Sequence, residues 1–386
     1  MLASMIFALI GLFALVAVVG FYFFKKSAQA NAKLSDMTDP GLSRNQGQAS
    51  THPIGTISGA PTQATPRRAW RPMPEVLREF RFVRLSEIEP EKIIDLRAKL
   101  RMLPRPPSAL HKLVSTEFLS SATSAELSEI VMGEPEIAVK VIAVSNSPLY
   151  GLQQLVGNID QSVKFLGMNT VRGICLQYIL NGSIKPGSPE IKIVYERLWN
   201  ESALACELCF KLAQLLKLDE PGTFVTQIVL ACLGRQATYS LMDPSDVLSM
   251  ESRGLLDRSR LEQQRLGLAS AEIGGLLMEE WDLPRNIINI VKEIDATLVA
   301  AVAETSTSRR TRNALCYLCC RIAEELVGGK LTDLGAFDIT SQESAEYFHL
   351  HGFLELQSLS RAAEFMRSSD VTSSINRMLK TMRVTR

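Results

Sequence analysis

Residues 134–180 read EPEIAVKVIAVSNSPLYGLQQLVGNIDQSVKFLGMNTVRGICLQYIL, and their punctuation decides the fold. Glu134-Pro135 closes one helix and opens the next, because proline suits a first helical turn and restricts the residue before it. Ile137, Val141 and Val144 then follow at i, i+4 and i+7, the spacing that gathers apolar side chains on one helical stripe. Asn146-Ser147-Pro148-Leu149-Tyr150-Gly151 interrupts the stripe and is expected to form a loop.

The same periodicity extends outward. Leu204, Leu208, Leu212 and Leu215 recur at i, i+4, i+8 and i+11. Trp281-Asp282-Leu283-Pro284 ends one amphipathic helix and starts another, whose Ile287, Ile290, Val291 and Ile294 form a further stripe. Alternating runs of β-branched residues are few, and no repeat of fixed period is evident. The expected fold class is therefore all-α, a packed helical bundle without a sheet, over residues 74–305. A polar stretch, Glu304 to Arg310, precedes a resumption of helical pattern near Leu315. Residues 306–386 are read as a C-terminal helical extension or small subdomain, or as the last helices of the same domain.

At 386 residues the chain has room for more than one small domain. From Leu2 to Phe24 no residue is charged, a run long enough to cross a hydrocarbon core of about 30 Å as a helix. Lys25 and Lys26 follow directly, and the positive-inside rule puts that flank in the cytoplasm. Residues 1–26 are thus expected to be a single-pass anchor in the inner (cytoplasmic) membrane. A cleaved signal peptide is the rival, with Ala28-Gln29-Ala30 as a possible cleavage site, but no positive residue precedes the run. Residues 27–73 are rich in Ser, Thr, Gln, Asn, Gly and Pro and read as a disordered linker. Residues 25–72 carry seven basic and two acidic side chains, a balance of +5 that suits anionic headgroups. Within it, Pro66-Arg67-Arg68-Ala69-Trp70-Arg71-Pro72 is either an interfacial or docking cluster or a solvated linker end.

Across the whole chain, 42 Lys and Arg face 41 Asp and Glu, so the basic excess that phosphate-backbone binding uses is absent and nucleic acid is not an expected partner. The seven cysteines suit reduced thiols in a cytosol. Cys206-Glu207-Leu208-Cys209 and Cys316-Tyr317-Leu318-Cys319-Cys320 carry CxxC spacing, but each lies in a helical apolar stretch without a turn glycine. They read as buried core cysteines, with a shared four-thiolate zinc site as the alternative. His349-Leu350-His351 would splay its rings on a helix, and His111 has no companion ligands. Gly328-Gly329-Lys330 lacks the remainder of a phosphate-binding loop. Trp199 and Trp281 read as core anchors.

Several of these signals together resemble the HDOD domain, a bacterial signalling module related to the HD-type metal phosphohydrolases. Leu103-Pro104-Arg105-Pro106-Pro107 resembles its opening proline motif, and Glu134-Pro135 its acidic residue plus proline. Asn146-Ser147-Pro148-Leu149-Tyr150-Gly151 resembles its asparagine-serine, tyrosine-glycine loop. Ile159, Val163, Leu166-Gly167 and Val171-Arg172 are similar to the following helix and turn, and Gly274 with Trp281 to Pro284 resembles the domain's tail, so the likeness spans residues 97–300. The resemblance implies an all-helical regulatory or interaction module, with Pro104, Pro107, Pro135, Asn146, Ser147, Tyr150, Gly151, Gly167 and Arg172 as structural or partner-facing signature positions.

An HD-type enzyme needs histidines and aspartates converging on metal, because imidazole and carboxylate supply the lone pairs. No His-Asp dipeptide occurs, and only His52, His111, His349 and His351 are present. Where related enzymes carry histidine-aspartate, this chain offers Ala231-Cys232-Leu233-Gly234. No catalytic residue, metal or cofactor is therefore expected. The expected function is non-catalytic signal transduction by a membrane-tethered module that binds another cytoplasmic or membrane signalling protein. The alternatives are a nucleotide sensor using the vestigial cleft, with Arg172, Gln177, Arg235 and Gln236 as candidate contacts, and a metal phosphohydrolase with unrecognised ligands.

Overall fold

The computed structural model describes residues 72–384 apart from Pro148, Leu149, Gly151 and Gln153. The expected membrane helix with Lys25 and Lys26, the linker as far as Arg71, His52 and the signature residue Gly151 all lie outside the described residues. Among the described residues no helix is long and apolar enough to cross a membrane.

The described residues are helical and contain no strand. Twelve of their helices reach eight residues: α1 (Pro90–Arg101), α2 (Ser124–Met132), α3 (Pro135–Ser145), α4 (Ile159–Leu166), α5 (Met168–Ser183), α6 (Pro189–Leu215), α7 (Pro221–Leu241), α8 (Leu255–Leu266), α9 (Ser270–Glu280), α10 (Arg285–Lys292), α11 (Thr307–Val327) and α12 (Ser369–Val384). Proline occupies the first turn of α1, α3, α6 and α7, where its missing N–H costs no helical bond. Side-chain caps start others: Asn158 Oδ1 accepts from Gln161 N at 2.8 Å before α4, and Thr123 with Glu126 forms a capping box before α2.

Helix α7 is the axis of the bundle. Of its 21 residues only Ser240 is exposed, because α5, α6, α9, α10 and α11 pack around it. Its Gly234 meets Gly274 of α9 so closely that a Cβ on Gly274 would lie 2.6 Å from the Gly234 Cα, and one on Gly234 would lie 2.8 Å from the Ser270 carbonyl oxygen. Both obstacles are backbone, so neither can rotate away.

The expected stripes form, with local differences. Leu204, Leu208 and Leu212 are fully buried, but Leu215 is 37% exposed where α6 runs out beyond its neighbours. Ile137 and Val141 are buried and Val144 is half-buried. Trp199 and Trp281 are both core residues, as expected. The helix expected to resume near Leu315 begins at Thr307, because its first two turns are polar and carry no apolar period to read. Helix α11 then packs along α6 and buries Leu315, Cys316, Leu318 and Ile322, and the described residues belong to one compact unit.

Replacing Gly274 by alanine forces α7 and α9 apart and is expected to cost about 1–3 kcal/mol of stability. Urea unfolding of the Gly274→Ala chain measures this, and an unchanged midpoint at unchanged slope would contradict the close crossing.

Candidate functional site

The signature loop after α3 is held by an amide that imitates a backbone. Asn146 Nδ2 donates to the Val156 carbonyl at 2.9 Å while its Oδ1 accepts from Val156 N at 2.8 Å, so the loop is pinned across ten residues. Among the described residues Ser147 Oγ is buried without a partner, and burial, with the Glu207 carboxylate behind it, pushes the Tyr150 phenol well above its usual range. Gly167 joins α4 to α5 at φ 82°, a left-handed conformation that favours glycine. Pro104, Pro107 and Pro135 are exposed. Between the first two, Arg105 Nη2 donates to the Glu280 carbonyl at 2.8 Å and Nη1 to Asp282 Oδ2 at 3.0 Å, which ties the proline motif to the Trp281-Asp282 tail.

Arg172 is a clamp. It is 1% exposed, and its Nη1 donates to Thr226 Oγ1 at 2.8 Å and the Leu113 carbonyl at 3.2 Å, while Nη2 donates to the Gly222 carbonyl. Burial brings its guanidinium down to about 10, which still leaves it charged at neutral pH. These acceptors are all neutral, and they join α5, the start of α7 and the short helix Ala109–Val114.

Ala231 and Cys232 stand on α7 beside a narrow cavity of ≈ 50 Å³, lined also by Glu201, Arg235, Asp295, Arg321 and Glu324. Ligand pockets run to about 300–1,000 Å³, so this cleft does not admit a nucleotide. Cys232 donates its thiol to the Leu198 carbonyl at 3.7 Å. Of the charges around the cavity, Glu201, Arg235, Arg321 and Glu324 are already paired. Glu324 accepts from Arg235 Nη1 at 2.8 Å, Arg258 Nη2 at 2.9 Å and Arg321 Nη1 at 2.8 Å. Glu201 accepts from Arg235 Nη1 at 2.9 Å and Arg197 Nε at 3.1 Å. Burial alone would raise the Glu324 carboxyl, but Arg258, Arg321 and Arg235 outweigh it and hold it at about 2. Nearby, burial raises the carboxyls of Glu262 and Asp295. Carboxylates committed to guanidinium forks have few lone pairs to offer a cation. Among the described residues no group of three His, Cys, Asp or Glu is placed to share a metal ion.

The four candidate cleft residues are not brought together. Arg172 is the clamp just described, Gln177 lines a different cavity between α5 and α6, Arg235 belongs to the charge network, and Gln236 donates Nε2 to the Ile184 carbonyl at 3.0 Å. Arg235 and Gln236 are adjacent on a helix and so diverge by about 100°. The network residues Glu201, Arg258, Arg321 and Glu324 were not legible as a group, although a glutamate inside the apolar run of α6 was a usable signal.

The two cysteine pairs do meet. Cys209 on α6 lies near Cys316 and Cys319 on α11, and the Cys316 thiol donates to Gln227 Oε1 at 3.6 Å. All three are buried, and burial pushes their thiols up, so they pack as neutral small hydrophobes rather than thiolates. His349 is buried with its ring edge-on to Phe348, and His351 Nε2 turns to the Gln342 carbonyl at 3.1 Å.

Below neutral pH the network should reveal itself. In the folded chain Glu324 keeps its charge down to about 2, whereas the ordinary value is 4.5. Between those values only the unfolded chain takes up the proton, so acidification through that window removes stability that is complete above it. At pH 7 Glu324→Gln strands three buried guanidinium groups and is expected to cost about 3–5 kcal/mol. The gap in unfolding free energy between the two chains should narrow as pH falls from 4.5 toward 2; a constant gap would contradict the pairing.

Comparison with known proteins agrees with this architecture. The family model described as the HDOD domain matches residues 103–297, half of the chain. A solved HDOD domain protein of unknown function from Geobacter sulfurreducens is similar at 15% identity and a TM-score of 0.55, covering 76% of this chain and 98% of its own. A structure from Marinobacter aquaeolei VT8, named as a candidate signal transduction protein, is similar at 17% identity and a TM-score of 0.54, covering 76% of this chain and 65% of its own. Another, from Shewanella amazonensis SB2B and named as a candidate phosphohydrolase, is similar at 21% identity and 0.51, covering 74% of this chain and 97% of its own. These identities carry the fold and nothing finer. No curated protein matches the chain. With the proline motif, the pinned asparagine loop, the glycine turn and the all-helical bundle in place, this chain belongs to the HDOD domain family.

Proposed function

We propose that this chain is a non-catalytic bacterial signal-transduction protein, tethered to the cytoplasmic membrane by its first 26 residues, whose HDOD domain works by binding another signalling protein. The observation that carries this reading is the position of Ala231-Cys232. Neither side chain is a hard ligand, and the carboxylates Glu201 and Glu324 beside them are neutralised by Arg197, Arg235, Arg258 and Arg321. Such an arrangement fixes helices relative to one another and leaves recognition to the surface.

Exposed apolar side chains support this reading. Of the large apolar side chains left exposed, Met132, Val139 and Phe165 fall on α2, α3 and α4, three helices that pack on one another, and Leu155 lies on the segment that leads into α4. Apolar side chains concentrated outside a core mark sites of association. The uncharged run from Leu2 to Phe24 followed by Lys25 and Lys26 supports the tether, which would raise the effective concentration of any membrane-bound partner. The signal-transduction name of the Marinobacter structure points the same way.

Two measurements test the reading. Full-length protein should stay in the membrane pellet through high salt and leave it in detergent, while residues 27–386 alone should be soluble; release of the full chain by salt would contradict the tether. Val139→Asp and Phe165→Asp sit on exposed positions, so each should alter stability by less than about 0.5 kcal/mol. Both should nonetheless reduce crosslinking to the membrane partner in intact cells at least about tenfold, as loss of an anchor contact of about 1.4 kcal/mol would. Undiminished crosslinking would remove this face from the account.

A further inference from the structure

A second cavity, ≈ 560 Å³, lies between residues 81–84, the start of α9, the end of α10 and the turn Asp295–Leu298. Its size is that of a small-molecule site, about 300–1,000 Å³. Ala269, Ala271, Ala296, Val299 and Ala300 give it an apolar wall, and Phe82 adds a ring.

Its charges decide what it could hold. Four cations and three carboxylates line it, and most of these cancel. Lys292 Nζ pairs with Glu272 Oε2 at 2.5 Å, Arg309 Nη1 with Glu293, and Arg81 Nη1 with Glu87 Oε1 at 2.7 Å. Two charges of opposite sign are left over. Among the described residues neither the Asp295 carboxylate nor the Arg84 guanidinium makes a hydrogen bond or an ion pair. Arg84 is exposed, at the rim; Asp295 is half-buried, and neither of its oxygens is sealed off, so a ligand can touch them. A carboxylate partly withdrawn from water without a donor is unfavourable, and a donor carried by a ligand relieves it.

These two leftover charges narrow the ligand. One free carboxylate does not hold a metal ion, since Ca²⁺ takes about six to eight oxygens, and among the described residues no group of three His, Cys, Asp or Glu is placed to share one. A purely anionic ligand would meet Asp295, and a purely cationic one would meet Arg84. A zwitterion answers both, with an ammonium donating to the carboxylate and a carboxylate accepting from the guanidinium. The alanine and valine wall then suits an apolar side chain.

We propose that this cavity binds a free amino acid with an apolar side chain, its ammonium on Asp295 and its carboxylate on Arg84. Asp295 also lines the narrow cavity beside Ala231 and Cys232, so the ligand would sit next to the arginine and glutamate network and give the domain an input other than its partner.

The test is calorimetric titration of the full-length protein in detergent with L-valine, L-leucine and L-phenylalanine, and with the amide and the N-acetyl derivative of each, which lack one charge apiece. At least one amino acid should bind, and both of its derivatives should bind at least about tenfold more weakly. Asp295→Asn keeps the shape and removes the charge, so affinity should fall at least about tenfold. Arg84→Ala, at an exposed position, should weaken the amino acid by a similar factor and leave the amide unchanged. Absence of heat with all three amino acids would mean a cavity that holds only solvent, and the proposal would fall. Derivatives that bind as tightly as their parent, a comparison that needs no variant to fold, or wild-type affinity in both variants, would equally overturn it.

Discussion

One buried carboxylate and the cations around it register the long helices of this domain against one another. Glu324, on α11, accepts from Arg235 on α7, Arg258 on α8 and Arg321 one turn before it on its own helix. A charge in the interior is stable only if it is paired and hydrogen-bonded, and here each partner comes with its own neighbours. Arg235 also reaches Glu201 on α6 and the Tyr239 hydroxyl. Four helices are thereby registered against one another beside Ala231 and Cys232.

The same logic accounts for Arg172, which sequence reading placed among candidate ligand contacts. Its guanidinium faces two backbone carbonyls and a hydroxyl, so it organises the start of α7 rather than a substrate. Above it, Asn146 closes the signature loop with two hydrogen bonds to Val156. Family positions that look like a site in a linear motif thus act mainly as fasteners: a first-turn proline, a loop pin, a left-handed glycine and a buried clamp. Conformational requirements of this kind leave strong marks in sequence because few residue types satisfy them.

That explains what could be read beforehand and what could not. Proline at the start of α3, the asparagine loop, Gly167 and the apolar stripes are local, and a short window contains all the information. The charge network is not local: Glu201, Arg235, Arg258 and Glu324 lie on four helices, and only packing decides that they meet. Gln177 and Arg235 could not be assigned to different cavities from spacing alone. The start of α11 was missed for the opposite reason, since its first turns are polar and solvent-facing, and helix without apolar period leaves no pattern. The cysteine pairs show both cases, with their helical, buried character legible and their meeting across α6 and α11 not.

The carboxylates beside Ala231 and Cys232 serve either arginine or metal, and the two can be told apart directly. Elemental analysis of the full-length protein, purified without chelator and then incubated with iron, manganese or zinc before desalting, measures this. Retention far below one ion per chain, with no hydrolysis of a phosphodiester substrate, is the expected result. One or more ions retained per chain together with turnover that Glu324→Gln abolishes would contradict it.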